Sequence, residues 1–123
     1  MKLAVIGSRN FTDYETVRII LDELQKDIGF DVIVSGGAKG ADSLAEKYAW
    51  KNDIKLELYY PEWDKHGKSA GFIRNVEIWD NSDFGVAFWD GKSKGTAHSF
   101  KLAKKQNKSL YVFNNLINDF YLI

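Results

Sequence analysis

The sequence predicts an α/β fold: a single Rossmann-like, three-layer sandwich with a mainly parallel five-stranded sheet, formed as one domain by residues 1–123. Two observations predict this class. Short apolar runs alternate with amphipathic helical stretches along the chain, and glycine-rich turns follow several of these runs. Strands that are separated by helices pair in parallel through right-handed crossovers, so the alternation indicates βαβ units. A chain of 123 residues can also bury a core without disulfides or a metal.

The first half of the chain contains two strand–helix pairs. Residues 2–7 form an apolar run that is typical of a buried strand. Asp13 can cap a helix that runs to about Ile28, because apolar residues recur there on one face. Residues 31–35 form a second strand, since they are mostly β-branched and precede two glycines. Residues 41–52 have helical periodicity and form the second helix.

The middle of the chain continues the alternation. Residues 54–60 form the third strand, and Pro61, the only proline, ends it. Residues 62–71 are polar and rich in lysine and glycine, so we expect a loop there. A third helix over residues 72–81 and a fourth strand over residues 84–89 follow.

The last third is predicted less completely. Residues 91–95 form a loop, and Thr96 can cap a fourth helix over residues 96–107. Residues 109–113 form the fifth strand. The tail, residues 114–123, is apolar and aromatic but has no periodicity that assigns it to a helix or a strand.

The composition limits the classes of function. The 17 lysines and arginines balance 17 aspartates and glutamates, and this zero net charge argues against general nucleic-acid binding, which favours a basic excess. The absence of cysteine excludes disulfides and thiolate chemistry and is compatible with the cytosol. We expect a cytoplasmic protein with no membrane partner, because no apolar run approaches the length of a membrane span and the N-terminal run is too short for a signal peptide.

Three loops are predicted to converge into one site. In doubly wound sheets, ligands bind beyond the carboxyl ends of the strands. Each of the three loops there is rich in Gly, Ser or Thr and carries Arg or Lys. The candidate binding residues in them are Gly7, Ser8 and Arg9; Ser35, Gly36, Gly37, Ala38, Lys39, Gly40 and Asp42; and Asp90, Gly91, Ser93, Gly95 and Thr96.

The loop over residues 35–42 has the clearest chemistry. A glycine-rich turn between a strand and a helix N-terminus leaves backbone N–H groups free, and the helix dipole adds positive charge, so the place suits a phosphate. It is not a P-loop, because Gly40 is followed by Ala41, and Ser35 replaces the first glycine of the dinucleotide-binding pattern. A tight turn without a ligand is the alternative. Asp42 caps the helix or bonds a ribose hydroxyl.

The remaining polar residues support an anionic ligand. Arg9 follows the first strand, where its guanidinium can fork onto a phosphate. Gly95 and Thr96 can bind a second phosphate, or Thr96 can simply cap its helix. Lys65, His66 and Lys68 lie in a loop that is either a lid or a solvated connection. The two histidines are far apart without metal-ligand spacing, so no metal site is predicted.

Several of these segments, taken in order, resemble the SLOG superfamily, and most closely its small YspA-like (YAcAr) members. The resemblance extends from about Lys2 to Phe113. It is carried by Gly7-Ser8-Arg9, Phe11, Asp13, Val34-Ser35-Gly36-Gly37-Ala38, Gly40-Ala41-Asp42, Pro61-Glu62-Trp63, Gly67-Lys68, Ala70-Gly71, Arg74-Asn75, Asp90-Gly91 and Gly95-Thr96. It implies a Rossmann-like fold and adds Arg74 and Asn75 to the candidate binding residues.

The resemblance implies a nucleotide or ADP-ribose-type ligand, bound by a protein that senses or sequesters it without a required cofactor. The alternative is a nucleotide hydrolase such as the LOG-type phosphoribohydrolases, which cleave nucleoside 5′-monophosphates. Ser99 stands where their catalytic glutamate lies, so such an enzyme would have to use Asp42, Glu77 or Asp90. An interaction subunit that relies on the aromatic tail is a third possibility.

Two expectations concern partners. The superfamily also includes the DNA-uptake protein DprA, which binds single strands, but the zero net charge makes nucleic acid an unfavourable partner for this chain. Trp79 and the apolar tail favour a homodimer or a higher homo-oligomer.

Overall fold

A computed structural model describes residues 1–123. The strands are β1 (Lys2–Gly7), β2 (Val32–Ser35), β3 (Lys55–Leu58), β4 (Phe84–Trp89), β5 (Leu110–Asn114) and β6 (Asp119–Leu122). The helices are α1 (Tyr14–Asp27), α2 (Ala41–Lys51), α3 (Trp63–His66), α4 (Ala70–Asp80) and α5 (Lys94–Lys105), with a 3₁₀ turn at Gly67–Ser69. None of the helices has the length and apolar character needed to cross a membrane.

One sheet contains all six strands, in the order β3-β2-β1-β4-β5-β6. The first five strands are parallel, and β6 runs antiparallel to β5. The chain moves outward from β1 to β3 and then returns to β4 on the other side of β1. The strand order therefore reverses between β1 and β4, and a crevice opens beyond their carboxyl ends, where doubly wound folds bind ligands.

The core lies on both faces of this sheet, which confirms the three-layer Rossmann-like architecture. Successive side chains of a strand point to opposite faces, so Leu3 and Val5 pack with α1 and α2 on one side. Ala4 and Ile6 pack on the other side, against apolar residues of α4 and α5. The continuous apolar run of β1 is thus explained by burial of both of its faces.

The tail accounts for the sixth strand, where five were predicted. β6 pairs along β5, with Tyr111 opposite Leu122, and the ring of Phe120 stacks on that of Tyr111 at 5.9 Å between centroids. As an edge strand, β6 keeps three of its four residues exposed. It therefore lacks the alternation of apolar and polar residues by which a half-buried strand is recognised in a sequence.

Two helices begin earlier than predicted, and part of the predicted loop over residues 62–71 is helical. That segment contains α3 and the 3₁₀ turn, and α4 begins at Ala70. α5 begins at Lys94, and its N-cap is Ser93, whose hydroxyl accepts from the Thr96 amide, so Thr96 is not the cap. Glycine marks loops only on average, and Gly95 here lies inside the first turn of a helix.

Trp79 does not lie at a subunit interface, contrary to the expectation. Its side chain is fully buried, and a Cβ on Gly85 would lie 2.5 Å from its indole ring. The tryptophan therefore fills space above β4 that a glycine leaves open. Of the two features that favoured an oligomer, only the apolar tail is exposed.

Candidate functional site

Ser8 holds the three predicted loops together at the carboxyl edge of the sheet. Its amide donates to the carbonyl of Phe88 at 2.9 Å, at the end of β4. Its carbonyl accepts from the amide of Ala41 at 3.1 Å, at the start of α2. Its hydroxyl accepts from the amide of Asp90 at 3.0 Å. The loops that follow β1, β2 and β4 are therefore fixed to one another by a single buried serine.

A cavity of about 420 Å³ opens between these loops, and we call it the inner cavity. Eleven of the predicted binding residues line it, and they come from all three loops and from α4. These are Gly7, Ser8, Arg9, Ala38, Asp42, Arg74, Asn75, Asp90, Ser93, Gly95 and Thr96. Four lining residues were not predicted to bind a ligand: Ile6, Asn10, Ile78 and Ser99. The lining is mainly polar, so the inner cavity suits a hydrogen-bonding ligand group.

A second cavity of about 500 Å³ adjoins the first, and we call it the outer cavity. It shares Arg9, Ala38 and Arg74 with the inner cavity. The predicted residues Gly36, Gly37 and Lys39 also line it, together with Tyr60, Pro61 and Trp63, which were not predicted. The two cavities meet at the arginines, so a long ligand can contact both.

Three predicted residues line neither cavity. Ser35 is fully buried beneath the turn, and its hydroxyl has no hydrogen-bond partner within the chain. Gly40 and Gly91 have φ angles of +74° and +81°, a conformation that favours glycine. These glycines therefore shape the backbone of the loops rather than line the site.

Asp42 and Arg74 form the electrostatic centre where the cavities meet. The Asp42 carboxylate is buried and accepts from the amide of Ala38 at 3.1 Å. Burial raises the pKa of Asp42, while the Ala38 amide and the charge of Arg74 act in the opposite direction. Burial likewise lowers the pKa of Arg74, against the attraction of Asp42. Each group thus offsets part of the desolvation of the other, although they form no direct ion pair.

Arg74 is held by hydrogen bonds to the glycine turn and to its neighbour. Its Nη1 donates to the carbonyl of Gly36 at 2.9 Å, and its Nε donates to Oδ1 of Asn75 at 3.1 Å. A Cβ on Gly36 would lie only 2.3 Å from that Nη1. A side chain at position 36 would therefore displace the guanidinium from the backbone on which it packs.

Asn75 connects α4 to α5 beside the inner cavity. Its Nδ2 lies 3.4 Å from the carbonyl of Gly95 and 3.3 Å from Nδ1 of His98. Burial lowers the pKa of His98, and the charge of Lys101 adds to this effect. The ring of Phe72 packs edge-on against His98, with centroids 4.6 Å apart. The amide is therefore held in place from α5.

The loop after β4 uses its own side chains to satisfy its amides. The Asp90 carboxylate accepts from the amides of Lys92 and Ser93, each at 2.9 Å, and these bonds lower the pKa of Asp90. The Thr96 amide and hydroxyl both donate to the hydroxyl of Ser93. The Thr96 donors that were expected to bind a second phosphate thus have partners within the chain, whereas the amides of Lys94 and Gly95 have no acceptor there.

The turn between β2 and α2 differs in having no side-chain cap. Its N-cap, Gly40, has no side chain to accept from the helix amides. The Ala41 amide bonds to Ser8, while those of Asp42 and Ser43 have no acceptor in the chain. This end of α2 carries the positive end of the helix dipole toward the inner cavity.

Gly37 packs against an aromatic side chain. A Cβ at this position would lie 2.2 Å from Cε1 of Tyr60. With φ at +68°, the turn also requires glycine. Tyr60 and Trp63 lie just after β3, at the same sheet edge as the predicted loops. The strand-end rule that located those loops applies equally here, so position alone could have identified these aromatic residues.

Comparisons with known proteins agree with this fold. The family model described as YAcAr (YspA, cpYpsA-related SLOG family) matches residues 1–66. The Gene 61 protein of Mycobacterium phage D29 is 37% identical over 111 residues, which cover 85% of this chain and 89% of that protein. A solved structure of DNA processing protein A from Helicobacter pylori, described for its unique single-stranded DNA binding mode, is 27% identical with a TM-score of 0.74. That match covers 97% of this chain and 67% of the other.

These findings overturn two expectations. The expected nucleotide or ADP-ribose sensor is wrong, because the similar solved structure is a DNA processing protein that binds single-stranded DNA. The expectation that nucleic acid is an unfavourable partner is wrong for the same reason. It rested on a net charge of zero, which sums the whole chain. A binding surface depends on the local arrangement of charge instead.

Proposed function

The chain belongs to the YspA, cpYpsA-related SLOG family, and from this membership and its site we propose that it binds single-stranded DNA across the inner and outer cavities. One observation carries the proposal. Two exposed aromatic side chains, Tyr60 and Trp63, share the outer cavity with Arg9, Lys39 and Arg74. Rings beside a basic groove are the general means by which proteins hold single strands without reading a particular sequence.

The aromatic rings provide the stacking surface. Tyr60 is 59% exposed and Trp63 is 52% exposed, a large apolar area for side chains beside a polar cavity. Every nucleobase has an apolar face, and its stacking on a protein ring contributes about 1–3 kcal/mol per base. Bases in a duplex already stack on one another, so only an unpaired strand can use both rings.

The basic side chains provide the phosphate contacts. Arg9 and Lys39 are exposed and form no ion pair within the protein, so both are available to a backbone phosphate. Arg74 lies at the junction of the two cavities, where its fork geometry suits a phosphate oxygen pair. The free amides at the start of α2 add further donors beside it.

The similar proteins support the same reading. The solved structure that aligns with nearly the whole chain is one of a protein whose single-stranded DNA binding mode is described. The predicted residues that line the two cavities keep their binding role in the proposal, with phosphates and bases of a strand in place of a small nucleotide. We also propose that binding requires no metal ion, since no cluster of His, Cys, Asp or Glu could hold one.

The test is fluorescence anisotropy with a labelled oligo-dT strand and its duplex with oligo-dA. We expect the single strand to bind more tightly than the duplex, and EDTA to leave the affinity unchanged. Arg9→Ala should weaken binding and reduce the slope of log K against log salt by about 0.7, the value for one phosphate contact on a single strand. Lys26→Ala is the control, because Lys26 is exposed in the last turn of α1, at the opposite edge of the sheet.

Substitutions of two tryptophans, one in the outer cavity and one away from it, test the stacking surface. Trp63→Ala should weaken oligo-dT binding between about fivefold and a hundredfold, as expected for the loss of one stacked base. Trp50→Ala is the matched control, because Trp50 is 83% exposed near the C-terminal end of α2, away from both cavities. Equal effects of the two substitutions, or equal affinity for strand and duplex, would contradict the proposal.

A further inference from the structure

A third cavity lies at the opposite edge of the sheet from the site. It has a volume of about 540 Å³ and lies between the C-terminal half of α5 and the strands β5 and β6. Leu110 at the start of β5 and Ile123 just after β6 both line it. The inner and outer cavities lie at the carboxyl ends of the parallel strands, so this groove is separated from them by the length of β5.

The groove combines a basic rim with an apolar floor, and we call it the lysine groove. Lys101, Lys104 and Lys108 form the rim. The floor includes Ala103, Leu110 and Ile123, and no acidic residue lines the groove. Ile123 is 55% exposed while Ala103 and Leu110 are buried beside it, so Ile123 supplies the part of the floor that is open to a ligand.

The charge around this groove is strongly one-sided. Residues 91–118 contain six lysines and no acidic residue, although the chain as a whole is neutral. Lys101 and Lys104 are exposed and form no ion pair within the protein. Lys108 donates to the carbonyl of Trp79, which fixes its side chain at the rim. The lysine groove therefore offers two free cations and one fixed cation to an anionic partner.

We propose that the lysine groove docks an acidic peptide segment that carries an apolar anchor side chain. The acidic residues match the rim, and the anchor packs on the side chain of Ile123, which water would otherwise cover. The floor favours a peptide over a nucleic-acid strand. Its only aromatic ring, that of Phe100, packs edge-on against Trp89 with centroids 4.9 Å apart, so the floor offers no paired stacking surface like that of Tyr60 and Trp63. This inference does not depend on the proposed DNA binding.

The experiment uses a fluorescent peptide in which aspartates flank a Phe-Leu pair, and measures its anisotropy with the full chain. Two control peptides replace either the aspartates by asparagine or the Phe-Leu pair by serines. We expect the parent peptide to bind and each control peptide to bind at least about tenfold more weakly, because charge and apolar anchor both contribute.

Variants of the protein test whether the peptide binds at the lysine groove. The double substitution Lys101→Glu and Lys104→Glu should weaken peptide binding at least about tenfold, and Ile123→Ser should weaken it several-fold. Lys105→Glu is the matched control, because Lys105 is exposed on the same helix but does not line the groove. We expect it to change the affinity by less than about twofold, which a screened surface charge allows.

Three results would overturn the inference. The parent peptide could fail to bind, or Lys105→Glu could weaken it as much as the double substitution, which would show unspecific attraction. The double substitution could also reduce oligo-dT binding as strongly as peptide binding, which would assign the groove to DNA. Loss of oligo-dT binding in Arg9→Ala alone would leave the inference unaffected, so the two proposals fail independently.

Discussion

Two loops at the same edge of the sheet, after β2 and after β4, have similar composition but differ in how their polar groups are satisfied. The loop after β2 leaves amides of α2 free, because its N-cap is Gly40. The loop after β4 is closed by Asp90 and by the Ser93 cap of α5. The second loop therefore caps its helix with its own side chains and, among the helix amides, leaves only those of Lys94 and Gly95 without an acceptor, whereas the first has no side-chain cap at all.

The glycines in the two loops differ in the same way. A Cβ on Gly36, Gly37 or Gly40 would lie within 2.5 Å of another part of the protein. A Cβ on Gly95 would meet nothing within 4 Å, and one on Gly91 would make only ordinary contacts. Gly37 and Gly40 combine such overlaps with a positive φ and therefore demand glycine, whereas after β4 Gly95 tolerates a side chain and Gly91 is restricted only by its φ of +81°.

The largest expected effect is that of Gly40→Ala, which breaks the first loop. The new Cβ would lie 2.3 Å from the carbonyl oxygen of Ser8, and the φ of +74° adds strain of about 1–3 kcal/mol to that overlap. Gly95→Ala, the matched change in the second loop, should instead stabilise α5 by about 0.5–1 kcal/mol. Urea denaturation of both variants measures the difference, and equal free energies of unfolding would refute this account of the glycines.

Arg74→Ala is expected to have the next largest effect, and it tests ligand binding beside the loop after β2. The loss of one charge-assisted contact, about 1.5–3 kcal/mol, should weaken oligo-dT binding about tenfold or more. The substitution also removes the counter-charge of buried Asp42, so we expect stability to fall by about 1–3 kcal/mol. Adding Asp42→Asn should restore part of the stability but not the binding. Unchanged binding would assign Arg74 a structural role only.

Asp90→Ala removes the side chain that satisfies amides in the loop after β4. The amides of Lys92 and Ser93 would lose their acceptor, and we expect a cost of about 1 kcal/mol, as for the loss of a helix cap. Asp90→Asn keeps an acceptor oxygen and serves as the control. Calorimetric unfolding would measure both, and a stable alanine variant would show that the loop does not depend on its carboxylate.

The smallest expected effect concerns how stability depends on pH. This dependence should have opposite signs for Asp42, beside the first loop, and Asp90, in the second. Because burial raises the pKa of Asp42, its contribution to stability is present at low pH and is lost as the pH rises through the folded-state pKa. Because two amides lower the pKa of Asp90, its contribution is present at neutral pH and is lost as the pH falls through the folded-state pKa.

The measurement is the free energy of unfolding between about pH 3 and pH 7, where carboxylates titrate. As the pH falls, the stability of the wild-type protein relative to Asp42→Asn should rise, while its stability relative to Asp90→Asn should fall. Slopes of the same sign for both comparisons would contradict the difference between the loops.

The sequence predicts the fold well because the central strands are buried on both faces. β1 and β4 have the predicted bounds, since an unbroken apolar run leaves little doubt about a strand. The superfamily resemblance is confirmed as well. The edge strand β6 was missed because exposure removes the pattern that defines a strand.

The site was predicted in part, and its ligand was not. The order of strands and helices in the sequence located the loops. It did not show that Asp90 and Ser93 satisfy donors near Thr96, because capping depends on side-chain geometry. The basic and aromatic surface was missed because a net charge hides a local arrangement. Tyr60 and Trp63 follow a strand that carries no glycine turn, so composition did not draw attention to them.

The bonds of Ser8 have a consequence for the dynamics of both loops. Because its carbonyl holds the Ala41 amide and its hydroxyl holds the Asp90 amide, neither bond survives a displacement of this residue. We expect the two amides, one at the start of α2 and one in the loop after β4, to have the same protection factor in hydrogen–deuterium exchange, through a single local opening. In Ser8→Ala the amide of Asp90 should exchange much faster while that of Ala41 stays protected, so the two loops would then open separately.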